Sequence, residues 1–213
     1  MKLTRFLGLT FIAIIAISWF CHSSLRKKTK ALYLPKKQTG YITTDKTIKK
    51  LEQKVAEVKQ LVRRNGYNEN ICFLVDMTLP SGQNRFFIYD LKKDTVQGAG
   101  LVAHGNCYQY WLEGRKYSNV VGSGCTSLGK YRIGPHYNGR FGYSFKLIGL
   151  DSSNNNAFER TVVLHSHSCI PETEVAEDIC QSNGCPMVSP NFLEHLKKII
   201  NSSKKPVMLW IYE

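Results

Sequence analysis

Apolar residues at Ile48, Leu51, Val55, Val58 and Val62 recur at steps of three and four, the spacing of one helix face. Thr43, Thr44 or Asp45 can cap its start and Gly66 can end it, so the pattern predicts one amphipathic helix over residues 44–66. Such a stripe either docks on a partner or membrane surface or packs on the chain's own core, and the spacing favours the core. From Ile71 the apolar runs shorten and become rich in β-branched and aromatic residues. Ile71–Asp76, Arg85–Asp90 and Gln97–Ala103 read as strands, parted by turn signals at Pro80-Ser81-Gly82 and Lys92-Lys93-Asp94. Tyr131–Ile133, Tyr143–Ile148, the run Thr161–Leu164 and Val207–Tyr212 add further strands. Asp151–Asn156 is a polar turn, and Ser189-Pro190 opens a helix over Asn191–Asn201. The fold class is therefore mainly β (β-rich α+β), a largely antiparallel sheet over residues 70–213 with an N-terminal amphipathic helix.

The beginning of the chain follows another pattern. Lys2 and Arg5 precede an apolar run from Phe6 to Cys21, and Arg26, Lys27 and Lys28 follow it. That layout makes residues 1–23 a signal peptide or N-terminal membrane anchor and predicts an exported protein of the periplasm or cell envelope. Cys21 raises lipid attachment, which the bulky Trp19 and Phe20 before it disfavour. Residues 24–43 are Lys-rich without periodicity, a basic linker suited to an anionic membrane or wall surface. The net charge of +13, from 29 Lys and Arg against 16 Asp and Glu, fits any anionic polymer. The export segment turns that charge toward the envelope and away from nucleic acid.

Candidate chemistry concentrates between Thr161 and Ser189. His165 and His167 follow the apolar run with strand parity that places both on one face and Ser166 on the other. Cys185 follows Ser182-Asn183-Gly184, where a glycine lets a backbone N–H approach a reacting carbonyl. A cysteine nucleophile needs an imidazole to take its proton and donors for the developing oxyanion, and this stretch offers both. Zinc is the rival chemistry, because His165, His167, Cys169, Cys180 and Cys185 lie close in sequence. Neither a Cys-x-x-Cys nor a helical His-x-x-x-His occurs, so no metal or other cofactor is expected. Cys125, in Gly122-Ser123-Gly124-Cys125, is the rival nucleophile and has no imidazole beside it in sequence. Of seven cysteines, Cys169 and Cys180 are the pair expected to bridge, stiffening the connection between His165 and Cys185. Setting aside Cys21 and Cys185 leaves an odd number, so one further thiol stays free or pairs between molecules.

His165, a gap, then Ser182-Asn183-Gly184-Cys185 resembles the signature of the L,D-transpeptidases (YkuD-like fold). Leu101–Gly105, Ser127–Gly134, Tyr143–Leu147 and Gly184-Cys185-Pro186 extend the likeness to the murein L,D-transpeptidase catalytic-domain subfamily, from about Cys72 to Glu213. The chain departs from it at Ser166, where the family has Gly, at Asn183, where many members have His, and at Met187, where many have Asn or Arg. The resemblance implies a cell-envelope cysteine acyltransferase, a transpeptidase or carboxypeptidase, acting on peptidoglycan stem peptides. Cys185 would attack the carbonyl of the third stem residue and His165 would move the proton. Backbone N–H groups of Gly184 and Cys185 would face the oxyanion, with the Ser166 carbonyl orienting His165. Ser182 would position the turn and, with His167, Asn183 and His104, would shape the substrate cleft. A catalytically silent wall-binding or scaffold protein on the same fold is the alternative reading.

Overall fold

The computed structural model describes residues 45–213. The expected export segment, the basic linker and the proposed helix caps at Thr43 and Thr44 lie outside the described residues. The first helix, α1, spans Asp45–Asn65. It ends where Gly66 takes a φ of 69° and the Tyr67 N–H reaches back to the Val62 carbonyl at 3.3 Å. That bond closes the last turn in the way a left-handed glycine permits.

Nine strands follow: β1 (Ile71–Asp76), β2 (Phe86–Asp90), β3 (Thr95–Gly100), β4 (Val102–Ala103), β5 (Gly129–Gly139), β6 (Gly142–Gly149), β7 (Val163–Ser166), β8 (Met187–Val188) and β9 (Met208–Tyr212). A second helix, α2, spans Pro190–Ser202 between β8 and β9. The strands form one sheet in the order β3-β2-β1-β9-β5-β6-β7-β8-β4. Its two outermost strands are consecutive in sequence, with only Leu101 between β3 and β4. The sheet must therefore curl until its edges meet, which makes it a near-barrel.

Alternation along β1 shows how the two helices are shared out. Phe73 and Val75 pack with Phe86, Ile88, Leu209 and Ile211 and with Leu193 and Leu196 of α2. Cys72 and Leu74 face the other way, packing with Phe87, Met208 and Trp210 and with Leu51, Val55, Val58 and Val62 of α1. With both faces covered, β1, β2 and β9 read as continuous apolar runs rather than alternating ones. The apolar stripe of α1 thus packs on the chain's own sheet, except for Ile48, which is 42% exposed. Most strand pairs are antiparallel, but β1 with β9 and β7 with β8 are parallel. The β7–β8 pair sets His165 opposite Met187, one strand over from the cysteine turn.

Candidate active site

Ser182 begins the nucleophile turn and holds it from within. Its Oγ donates to the Cys185 carbonyl at 2.6 Å and accepts the Gly184 N–H at 3.1 Å. Its own N–H donates to the His104 carbonyl at 2.9 Å. The Ser182 side chain is buried and engaged in the turn rather than presented to a ligand. Gly184 has a φ of 111°, and a Cβ there would lie 2.8 Å from the Cys125 carbonyl oxygen. Only glycine fits that backbone without displacing its neighbour. Because Ser182 Oγ takes the Gly184 N–H, the expectation that this N–H faces an oxyanion is corrected. The Cys185 N–H has no partner among the described residues and remains the donor on this turn.

Cys185 is half-buried, and its Sγ lies 3.9 Å from the Thr161 carbonyl. Thr161 occupies the left-handed region with a φ of 53°, uncommon for a β-branched residue and found where surrounding structure enforces it. Burial pushes the Cys185 thiol above its ordinary value, and the Val163 N–H and the Arg160 guanidinium pull it part of the way back.

His165 is buried on β7, its Nδ1 3.0 Å from the Ser166 carbonyl. A carbonyl only accepts, so Nδ1 carries the proton of the neutral ring and Nε2 is left as the basic atom. Burial lowers the His165 pKa, with the Ser166 carbonyl opposing and His167 adding to the effect. Thiol and imidazole are both pushed toward their neutral forms. Burial thus disfavours the charged form of each group, and β7 carries the imidazole beside the strand that the cysteine turn leads into.

β7 ends at Ser166, so His167 lies just beyond the strand that carries His165, its N–H donating to the Val188 carbonyl at 3.0 Å. Its Nδ1 accepts the Cys169 N–H at 3.1 Å, and the ring is exposed on the loop that follows. Asn183 is exposed at the tip of the nucleophile turn. His104 turns inward: it is 4% exposed, with Nδ1 3.1 Å from Nη2 of the buried Arg85. Its connection to the site is through its backbone carbonyl, not its ring. Cys169 and Cys180 form a disulfide, which takes both from the set considered for zinc.

Residues 43–212 match the model of the L,D-transpeptidase catalytic domain. The chain belongs to that family. Among solved structures it is similar to the Ldtfm–avibactam carbamoyl enzyme, with 13% identity, 68% of this chain and 50% of that chain covered, and a TM-score of 0.42. It is also similar to the helical cell shape determining protein Pgp2 from Campylobacter jejuni, with 16% identity, 69% and 48% covered, and a TM-score of 0.45. An L,D-transpeptidase from Xylanimonas cellulosilytica gives 16% identity, 73% and 69% covered, and a TM-score of 0.38. The chain spans about half the length of the first two. No curated protein matches it.

Three features of this L,D-transpeptidase domain carry no signal in the sequence. Arg160 is one. Its guanidinium donates to the Ser118 and Cys125 carbonyls and to Ser123 Oγ, and it lies near enough to Cys185 to favour a thiolate. A lone arginine at the end of a polar turn gives no hint of this. Phe141 is another, stacked on His165 with ring centroids 4.4 Å apart and planes 19° from parallel. It comes from the tip of the β5–β6 hairpin, where the sequence shows only a turn. The third is the Cys107–Cys125 disulfide, which makes Cys125 a structural residue and removes it as a rival nucleophile. Around it, the Asn106 N–H donates to the Ser182 carbonyl, the Cys107 N–H to the Gly124 carbonyl, and the Gly105 N–H to Thr126 Oγ1. The bridge thus braces the segment on which the nucleophile turn rests.

Proposed function

We propose that this domain is a cysteine acyltransferase of the cell envelope that acts on peptidoglycan stem peptides through a thioester on Cys185. The observation that most supports this reading is the fixed His165 tautomer, with Nδ1 held by the Ser166 carbonyl, on the strand beside the Cys185 turn. His165 Nε2 takes the thiol proton as Sγ bonds to the carbonyl carbon of the third stem residue. The Cys185 N–H faces the oxyanion, and Arg160 adds a positive charge close to the sulfur. The tetrahedral adduct collapses by breaking the C–N bond to the terminal D-alanine, whose amine leaves with the proton from the imidazolium. His165 then deprotonates the second nucleophile, which attacks the thioester and returns Sγ as the leaving group. An amine acceptor yields a cross-link and water yields a carboxypeptidase product. The alternative, a silent wall-binding protein, draws on Ser166 and Met187, where this chain departs from the family pattern.

The test is turnover of a soluble stem tetrapeptide together with thiol labelling. Wild type should release D-alanine and add one carbapenem at Cys185 by mass. Cys185→Ala should lose both while keeping its fold. Replacing His165 should cost about 100- to 10,000-fold in rate. Full turnover in Cys185→Ala, or a wild type that neither turns over peptide nor labels at Cys185, would sink the enzyme reading.

A further inference from the structure

Beside the nucleophile lies a cavity of about 340 Å³, lined by Tyr137, Lys146, Leu147, Phe158, Thr161, Val162 and Val163. Two of those residues also touch Cys185: the Thr161 carbonyl at 3.9 Å from Sγ, and the Val163 N–H directed at the sulfur. Lys146 pairs with Val163 across β6 and β7, so Lys146, Val163 and Cys185 follow one another over three adjacent chain segments. Strand spacing puts the Lys146 backbone about 10 Å from that of Cys185, a gap that a lysine side chain and one substrate residue can bridge.

The walls are mainly apolar, and the one charge among the lining residues has no acid to pair with. Lys146 Nζ sits 5.8 Å from the Tyr137 ring and 5.6 Å from the Phe158 ring, and no carboxylate among the described residues bonds to it. By contrast Lys50, Lys59, Lys130, Lys197 and Lys205 each have an Asp or Glu within 3.7 Å. The aromatic faces hold the ammonium over the cavity without neutralising it. An ammonium presented this way at an apolar pocket matches a ligand with a hydrocarbon stretch and a carboxylate.

We propose that this cavity is a carboxylate-reading subsite beside the nucleophile, where Lys146 pairs with the carboxylate of an aliphatic substrate residue packed on Phe158 and Tyr137. The proposal rests on the stem-peptide reading for the identity of that residue. Stem peptides offer two kinds of source, the terminal carboxylate and carboxylates on the internal residues.

Two measurements test it on the folded protein, and Lys146 is exposed, so replacing it leaves the core intact. In the first, kcat/KM is compared for a stem tetrapeptide and for versions amidated at one carboxylate at a time, in wild type, Lys146→Met and Lys146→Arg. Wild type should lose about 10-fold or more on amidation of the carboxylate that Lys146 reads, mostly through KM. Lys146→Met should be equally slow on both forms, and Lys146→Arg should restore the preference. The amide that wild type discriminates identifies the terminal or the internal source. An unchanged carboxylate preference in Lys146→Met overturns the subsite. The second measurement needs no peptide: Cys185 is alkylated with iodoacetate and with iodoacetamide, and each rate is followed by mass. The ratio of anionic to neutral reagent should fall about two-fold in Lys146→Met, the effect of one charge at this separation. If no stem peptide is turned over, the enzyme reading fails and this ratio decides alone. A fall supports an anion-addressing cation beside the nucleophile, and an unchanged ratio ends the proposal.

Discussion

Phe141 shows how one exposed side chain can govern a buried one. Its ring is 46% exposed, yet it covers a face of His165, and burial is the main reason the imidazole pKa lies below its ordinary value. The charged neighbours are His167, which adds to that lowering, and Arg140, whose guanidinium carbon sits 5.8 Å from the Phe141 ring. A general base works only when neutral, so under the proposed mechanism a lowered pKa keeps His165 competent further into acid. Phe141→Ala admits water to the ring, relieves the desolvation and raises the pKa. The acid limb of kcat/KM should therefore move to higher pH, while Phe141→Tyr should leave it in place. A limb that stays put in Phe141→Ala would assign the lowered pKa to other groups.

Helix α1 is tied to the sheet by one face, and Val58 is fully buried at the middle of that contact. Val58→Ala should cost about 1–3 kcal/mol in urea unfolding, from lost burial and the cavity left behind, without changing turnover of a soluble peptide. A loss of turnover at unchanged stability would instead make α1 part of the catalytic machinery. The helix was legible because its period is local, and β1 because Ile71–Val75 is an unbroken apolar run ending at Asp76. Length was harder to read. β5 runs through Gly134-Pro135, residues that signal a break, and it accommodates them with a register shift between Ile133 and His136. β3 starts at Thr95 and includes two glycines that hide its strand character. At the site, the Ser-x-Gly-Cys turn and the strand histidine were legible as local chemistry. The inward turn of His104, the contacts of Arg160 and Phe141, and the partner of Cys107 depend on which strands become neighbours. Parallel pairing such as β7 with β8 leaves no mark in a linear pattern.

Over the whole molecule, two features make stability depend on solution conditions. Burial first, then the Arg85 and Arg115 guanidinium groups, push the His104 imidazole down to about 4. Below its ordinary pKa of about 6.5 the unfolded chain takes up a proton that the folded chain refuses until about 4. The stability is complete above the first value and is lost as pH falls toward the second, on the order of 3 kcal/mol. His104→Asn should flatten the decline in urea midpoint between pH 7 and 4.5, and an unaltered decline would shift its cause to other groups. The disulfides close steps of 18 and 11 residues, each contributing about 3 kcal/mol in a chain-entropy account. Removing Cys107–Cys125 by paired alanine replacements should also slow turnover, because the Cys125 carbonyl packs against Gly184. Equal activity with and without that bridge would reduce it to a staple. The pairings also have an order. Among the described cysteines the free Cys72, buried in β1, comes first, 107, 125, 169 and 180 pair successively without crossing, and Cys185 comes last. A chain emerging N-terminus first can close each bridge before the next thiol arrives, and Cys180 meets its partner before the nucleophile is present to compete. Refolding from a fully reduced chain offers every thiol at once, so oxidation in that setting should capture Cys185 in wrong pairs that synthesis in sequence avoids.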